Sequence, residues 1–370
     1  MSQTSEEMVS TDVSTLELGI SDRLSRVAAT LVRNKYLVDK AVSADCGAML
    51  ARDLHGGGYG PHEGSSFLAK VIPFLQVGDD SQTSFQALVP TAHTLGCSWR
   101  WRPTSVKPEK VSRLRDQLTD THALVDGTLN TCQYTWIKPL GLIAPSEGKN
   151  RVDFLREQGD EVIPANVYER TYPSADRITL YKIKSSGFKD TWAVLDGRWV
   201  QKLWNPSWTI PLLEAYGVRT DESWPSTFPN PKLVVSALFE HPGDMSPLGH
   251  PDLGTAVIVD LDTITAREMH QSEEIDCNLV DLKYVSHDIR IWFAAALAFV
   301  IGVIMLGAVP NEWLQVKVAA GIVIGMAMGA AFVPLVLKLK TSRRNVKHQL
   351  PLPPEKAPKY EGRTGRRLLG

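Results

Sequence analysis

Two histidines and two aspartates lie within twelve residues of each other, in a loop between two predicted strands. They are His241, Asp244, His250 and Asp252. Imidazole nitrogens and carboxylate oxygens bind divalent metals, and they also carry out general acid–base catalysis. The spacing matches no zinc signature, and loops rich in Pro, Gly, Asp and His are also common as surface turns. A hydrolase site here is therefore an alternative to a simple turn, and the sequence predicts no metal and no cofactor.

The run His55-Gly56-Gly57-Gly58 is a second candidate for chemistry. It resembles the oxyanion-hole motif of the hormone-sensitive-lipase type of α/β-hydrolase, in which consecutive glycine amides stabilise an oxyanion. The resemblance covers these four residues. The chain contains no G-x-S-x-G nucleophile elbow, and the run follows a predicted helix rather than a strand. A flexible glycine loop is the better interpretation.

Tryptophans are concentrated in the second half of the chain, where five occur within 33 residues: Trp192, Trp199, Trp204, Trp208 and Trp224. An indole has a large apolar face and one donor, so the cluster could line a binding groove or fill a small core. The core is favoured, because Trp192 and Trp199 fall on predicted strands. The run Trp99-Arg100-Trp101-Arg102 could stack on bases. A single tetrapeptide of this kind is weak support in an acidic region, so nucleic-acid binding is not favoured.

Two long apolar runs near the C-terminus must position everything that precedes them. Ile291–Val309 carries no charge over nineteen residues, and Val318–Leu337 carries none over twenty. Each is long enough to cross a hydrocarbon core of ~30 Å as a helix. A short polar turn between the runs, at residues 310–317, predicts a transmembrane hairpin.

Small residues recur every four positions in both apolar runs. The first run has Ala294, Ala298 and Gly302, and the second has Gly321, Gly325 and Gly329. Residues four apart share one helix face, and small residues there allow close backbone approach in lipid. The stripes could pack the hairpin on itself, or one of them could serve a second copy of the chain in a homo-oligomer.

Charge is distributed unevenly along the chain. Residues 338–370 hold ten Lys or Arg against two Glu, whereas residues 1–337 hold 30 against 39 Asp or Glu. Basic residues beside a span are retained on the cytoplasmic side and interact with anionic lipid. They are Lys338, Lys340, Arg343, Arg344 and Lys347. With no signal peptide recognised at residues 1–20, the sequence predicts two spans and cytosolic termini.

The elements upstream of the hairpin indicate an α+β protein with a helix-rich first half and a second half rich in β-meander. The predicted segments are a disordered N-terminus (1–20), a helix-rich region (21–144), a β-rich region (145–288), the hairpin (289–338) and a basic, Pro-rich, disordered tail (339–370). Asp196-Gly197 predicts a two-residue hairpin turn. Residues 141–150 are predicted as a linker and residues 232–239 as a strand.

These observations favour a membrane-anchored binding, scaffold or assembly protein, with a cytosolic domain held by the hairpin. Its expected partners are the lipid bilayer, a protein partner of the cytosolic domain and a second copy of itself. Two alternatives stay open. One is a membrane-tethered hydrolase that uses the His/Asp loop, and the other is a two-span effector that oligomerises in the membrane.

Overall fold

The computed structural model describes residues 13–43, 63–97, 106–129, 131–185, 187–240, 258–284 and 289–347. The chain divides into two compact units, Met1–Leu261 and Asp262–Gly370. Helices and strands occur in both, which confirms the predicted mixed α+β class.

The first sheet of unit 1 has four strands in the order β1-β4-β2-β3. β4 pairs antiparallel with β1 and parallel with β2, while β2 and β3 are antiparallel. The helices that precede or follow these strands supply apolar faces to the sheet. The bounds are β1 Asp80–Pro90, β2 Gln133–Ile137, β3 Leu142–Pro145, β4 Val162–Arg170, α1 Asp22–Ser43, α2 Gly64–Val71, α3 Pro108–Thr119, α4 Thr121–Val125 and α5 Lys149–Glu157.

The second sheet has five strands in the order β8-β5-β6-β7-β9. Its centre is the predicted meander, in which β5, β6 and β7 pair antiparallel in sequence order. Asp196 and Gly197 both have positive φ, at 54° and 66°, and the Arg198 amide donates to the Leu195 carbonyl oxygen at 3.0 Å. Leu195 pairs with Trp199, so the connection has three residues where the sequence predicts two. The bounds are β5 Ile178–Ser185, β6 Phe188–Leu195, β7 Trp199–Lys202, β8 Arg219–Asp221, β9 Ile258–Asp260, α6 Pro206–Tyr216 and α7 Pro231–Glu240.

Two apolar clusters form the core of unit 1, and β3 contributes to both. Leu142 and Ala144 belong to the cluster that also contains residues of α1, α2, α6 and the second sheet. Ile143, between them, belongs to the cluster that α5 shares with β2 and β4. Successive side chains of a strand point to opposite faces, so β3 is buried on both sides.

Residues 141–150, predicted as a linker, are instead part of the folded core. They contain all of β3 and the start of α5. The sequence predicts no strand at the position of β4, although β4 lies in the middle of the first sheet. That sheet therefore includes strands on both sides of the predicted division at residues 144/145.

Residues 232–239, predicted as a strand, form the helix α7. The adjacent residues Val234 and Val235 suggest a strand because β-branched side chains favour sheets. Pro231 occupies the first helical position, where proline is favoured, and the buried residues Val234, Ala237 and Leu238 follow helical spacing. The short apolar stretch at residues 210–216 is likewise helical, within α6.

Unit 2 joins a small sheet to two apolar helices. Its elements are α8 Leu261–Ser272, which begins one residue before the unit boundary, β10 Glu274–Asn278, α9 Ile289–Ala308, α10 Leu314–Val336 and β11 Lys338–Ser342. β10 pairs antiparallel with β11, with Cys277 opposite Leu339. Because β10 precedes α9 and β11 follows α10, the sheet holds the entry to the helix pair beside its exit.

The two apolar helices pack on each other along one seam. A Cβ added to Gly302 of α9 would lie 2.6 Å from Ile324 Cγ1 and 3.3 Å from the Ala320 carbonyl oxygen. Six of the eight less exposed positions of α10 follow steps of three and four, the spacing of left-handed helix packing. They are Lys317, Ala320, Ile324, Ala327, Ala331 and Pro334, and the other two are Val316 and Gly329.

Of the described residues, α10 forms a helix long and apolar enough to cross a membrane, with 23 residues. The apolar part of α9, Trp292–Ala308, is shorter. The structure thus supports one candidate span where the sequence predicts two.

The seam predicts a contrast between two glycines. Gly302→Leu should separate α9 from α10, because its side chain would overlap Ile324, whereas Gly325→Leu should not, because nothing lies within 4 Å of a Cβ there. The probe is maleimide labelling of Ala320→Cys, a buried seam position, in a chain whose native cysteines are replaced. We expect Gly302→Leu to speed labelling about tenfold, equivalent to about 1.4 kcal/mol in local opening. Equal rates in the two variants would contradict the seam.

Candidate functional site

The His/Asp loop predicted from the sequence lies outside the described residues, which end at 240 and resume at 258. His241, Asp244, His250 and Asp252 all fall in that gap, and His55–Gly58 and Trp99–Arg102 fall in two others. Within the described ranges, no group of three or more His, Cys, Asp or Glu could hold a metal ion.

A buried ionic cluster, which the sequence analysis did not identify, joins α1, the segment after β1 and α5. On α1, Lys35 is 1% exposed and forms an ion pair with Asp39, which is 4% exposed. The Lys35 ammonium also donates to the carbonyl oxygen of Gly96 at 2.6 Å. Lys35 therefore links α1 to the chain that follows β1.

The other half of this cluster is built on α5. Asp153 forms an ion pair with Arg156 at 2.5 Å. Arg156 Nη2 donates to the carbonyl oxygens of Thr91 and Thr94, at 3.0 and 2.6 Å. The Asp153 carboxylate also lies against Gly96, where any Cβ would overlap it at 2.1 Å. A glycine is needed at position 96 because the carboxylate occupies the space of a side chain.

Tyr36 extends the cluster toward the surface. Its hydroxyl donates to Glu157 Oε1 at 2.7 Å, and the Arg156 guanidinium lies 5.2 Å from the centre of its ring. Burial, followed by the hydrogen bond to Glu157, raises the pKa of Tyr36. The phenol is thus held as a donor to the carboxylate.

Burial dominates the electrostatics of this cluster. It raises the pKa of Asp39 to about 7, and the Lys35 charge and hydrogen bond oppose that rise. Burial also raises the pKa of the Cys97 thiol and lowers the pKa of His93, whose Nδ1 lies 2.8 Å from the Gly141 carbonyl oxygen. A carboxyl that titrates near neutral pH can exchange a proton under physiological conditions.

The sequence contains one signal that could have found this cluster. Lys35 and Asp39 continue the buried stripe of α1 formed by Leu24, Ala28 and Leu31, with spacings of three and four. Charged side chains on the apolar stripe of a helix are rarely buried unless they are paired. Their partners on α5 lie more than 100 residues away in sequence, so no local pattern predicts them.

The five tryptophans of the predicted cluster have different surroundings: Trp199 and Trp208 pack against the core, and Trp204 is exposed. Trp192 is fully buried, and Trp224 packs edge-on against it with ring centres 5.3 Å apart. Trp224 also contacts Tyr181 and Phe228 at 5.4 and 5.1 Å. A cleft of about 570 Å³ lies beside Trp224 and is lined by Lys182, Lys184, Glu222, Phe228, Asn230 and Pro231, among others. Its aromatic and proline walls suit an extended peptide.

The small-residue positions of the apolar helices have different surroundings. In α9, Ala298 is half-buried, Gly302 is buried in the seam and Ala294 is exposed. On α10, nothing lies within 4 Å of a Cβ built at Gly321, Gly325 or Gly329. The glycine stripe of α10 therefore lies on a face that α9 does not cover.

The basic residues that directly follow α10 lie in or beside the small sheet of unit 2. Lys338 and Lys340 lie on β11, and Lys340 pairs in register with Asp276 of β10. Arg343 forms an ion pair with Glu273 at 2.8 Å. Lys347 donates from its ammonium to the Val280 carbonyl oxygen at 3.0 Å, and Arg344 is exposed.

Comparisons with protein-family models, curated proteins and solved structures gave no match to this chain.

The raised pKa of Asp39 predicts a pH-dependent stability. Between about pH 4 and pH 7 the folded state keeps a proton that the unfolded chain releases, so the free energy of unfolding falls as pH rises. The slope attributable to one group is at most about 1.4 kcal/mol per pH unit. Asp39→Asn should remove this fall. The free energy of unfolding of the wild type minus that of the variant should therefore decrease as the pH rises from about 4 to 7, and become constant above pH 7.

Urea unfolding of the detergent-solubilised protein at intervals from pH 4.5 to 8.5 measures this difference. Asp116→Asn, on the exposed face of α3, is the matched control and should leave the profile of the wild type unchanged. Parallel profiles for wild type and Asp39→Asn would show that Asp39 does not titrate in this window.

Proposed function

We propose that this chain is a membrane-anchored binding or assembly protein, in which unit 2 inserts into the bilayer and unit 1 binds a partner. The observation that carries the proposal is the uncovered apolar surface of α10. Only 11% of the most apolar stretch of α10 is buried. Met326 of this helix, for example, is 70% exposed. A core helix of a soluble protein would be covered, whereas a helix in lipid presents such side chains outward.

The second span of the proposed hairpin is α9. Its outward face is also apolar, with Phe293 and Ile304 at 68% and 60% exposure. Its apolar run is short, and a short span is accommodated by local thinning of the bilayer or by snorkelling of flanking residues. Trp292 and Trp313 stand near the two ends of the hairpin, at positions where interfacial aromatic residues are common.

The β10–β11 sheet supports a hairpin over a single span. Hydrogen-bonded strands on both flanks of the helix pair require the two flanks to be on the same side of the bilayer. We propose that this side is the cytosol, because Lys338, Lys340 and Arg344 follow α10 directly. The acidic residues of β10 offset part of that charge, so the orientation depends on a modest positive excess.

Unit 1 supplies the proposed binding role. The cleft beside Trp224 has the aromatic and polar lining of a peptide-binding surface, including the Lys182–Glu222 ion pair at 3.2 Å. We propose that this cleft binds an extended peptide segment of another protein.

Cysteine labelling tests the topology. Single cysteines at Tyr284, Glu312 and Arg344 would be introduced into a cysteine-free chain and exposed to a membrane-impermeant maleimide in sealed vesicles. We expect positions 284 and 344 to react from the same side and position 312 from the other. Labelling of 284 and 344 from opposite sides would identify a single span, and release of the chain by alkaline carbonate would exclude insertion.

A second candidate function, self-association in the membrane, is favoured by the glycine face of α10. Gly321, Gly325 and Gly329 lie in line on a surface where an added Cβ meets nothing. Stripes of this kind let a neighbouring helix approach closely in lipid. The neighbour we propose is a second copy of α10, which would make the chain an oligomerising membrane component.

Gly325→Leu should weaken self-association and leave the seam between α9 and α10 intact. Crosslinking in membranes at increasing dilution in lipid measures the oligomer, and we expect at least about a tenfold shift in its midpoint, a loss of about 1.4 kcal/mol. Val323→Leu, an exposed position of α10 outside the stripe, is the matched control. An unchanged midpoint for Gly325→Leu would remove this role from the glycine face.

A further inference from the structure

Arg151 is a buried cation with no counterion among the described residues. It is 5% exposed, and its Nε and Nη1 atoms have no hydrogen-bond partner within that part of the chain. Its Nη2 reaches Thr131 Oγ1 only at 3.4 Å. A guanidinium does not lose its charge in a protein, so a buried one without an anion is strongly unfavourable. The arrangement indicates a missing negative partner.

The guanidinium lies at the N-terminus of α5. Gly148 is the N-cap residue, with φ at 79° and no side-chain cap, and the first turn of the helix contains no acidic residue. Arg151 folds back over this cap, since a Cβ built on Gly148 would lie 3.0 Å from its Nε and 3.4 Å from its Cζ. The first amides of a helix generally lack acceptors within it and carry a partial positive charge. Here the Arg151 amide donates to the Gly148 carbonyl oxygen at 3.1 Å, so the amides considered are those of Lys149 and Asn150. Both groups of donors therefore converge at Gly148.

The surroundings leave this positive charge largely uncompensated. Lys149 and Glu63 form an ion pair with each other, and Glu147 is exposed beside the cap. Burial raises the pKa of the Cys132 thiol, and the Arg151 charge opposes that rise. Thr131 is exposed, and Gly148 is half-buried, so the N-terminus of α5 lies near the surface. Nε and Nη1 of Arg151 have almost no accessible surface, so a ligand reaches them only when the atoms around them move.

We propose that the N-terminus of α5 is a binding site for a phosphate group. The Nε–H and Nη1–H donors of Arg151 would bind its oxygens from one side, and the first-turn amides from the other. A phosphate offers three or four oxygens to these donors, whereas a carboxylate offers two. This site is separate from membrane anchoring and from the peptide cleft. The phosphate group could belong to a free phosphate or to a lipid headgroup.

The test uses the full chain in a phosphate-free, non-ionic detergent. Inorganic phosphate replaces chloride at matched ionic strength, and the dissociation constant is taken from isothermal titration calorimetry, with Tm as a second reading. We expect saturable binding to the wild type and at least about a tenfold loss of affinity in Arg151→Met. Arg219→Met, a variant of an arginine exposed on β8, should bind as the wild type does. Absence of saturable binding to the wild type, or full affinity in Arg151→Met, would overturn the proposal.

Two further measurements keep the result interpretable. If Arg151→Met does not fold, Arg151→Lys, which retains the charge without the planar fork, should bind with reduced affinity. Phosphate should also slow hydrogen exchange of the wild-type amides of Lys149 and Asn150. Exchange rates that phosphate leaves unchanged would overturn the proposal. Competition with a short-chain phosphatidic acid distinguishes the sources. If the phosphatidic acid displaces inorganic phosphate, the ligand is assigned as a lipid headgroup. If it does not, the ligand is assigned as a soluble phosphate. Both results support a phosphate site at the N-terminus of α5.

Discussion

The fold of unit 2 depends on where the apolar surface of α9 and α10 is placed. Among the residues whose exposure the structure describes, the two helices leave nineteen large apolar side chains exposed. Burying one such side chain fully is worth about 1.5–3 kcal/mol, so even partial burial of all nineteen amounts to tens of kcal/mol. A folded domain is typically stable by only about 5–15 kcal/mol. Among the described residues, α9 and α10 cover each other only along one seam, so their mutual packing does not supply this burial. The bilayer proposed above would supply it.

This requirement gives the β10–β11 sheet its importance. A helix pair in lipid needs no sheet to hold it together, because the seam and the short turn already do so. In the proposed hairpin, the sheet instead fixes how the two flanks leave the membrane, by pairing the residues before α9 with those after α10. Its ion pair between Arg343 and Glu273, together with Lys340 opposite Asp276, uses charges that a sequence reading assigns to lipid. The basic flank therefore stabilises a local fold as well as contributing to orientation.

Local patterns account for the parts of the fold that the sequence could predict. The 3.6-residue period of α1, the Asp196-Gly197 turn and the uncharged runs of α9 and α10 each act over a few neighbouring residues. β4 was missed because Pro164 and Asn166 interrupt its apolar pattern, and its pairing with β2 is parallel and non-local. No local pattern predicts the ionic cluster for a similar reason, since Lys35 and Asp153 both meet Gly96 only after the chain has folded. For the His/Asp loop the structure describes no residues.

Arg151 differs from Lys35 and Arg156, the other two largely buried cations of unit 1 discussed above, because both of these are paired with a carboxylate. Lys35 has Asp39 and the Gly96 carbonyl, and Arg156 has Asp153 and two further carbonyls. In both cases a carboxylate and backbone oxygens satisfy the charge, as burial requires. Arg151 lies on the same helix as Arg156 and is more deeply buried, yet only Thr131 contacts its donors within the described residues. α5 thus carries Arg156, which is paired within the fold, and Arg151, for which we propose an external anion. A protein held at a membrane by unit 2 would present that second cation on the unit that is free to bind.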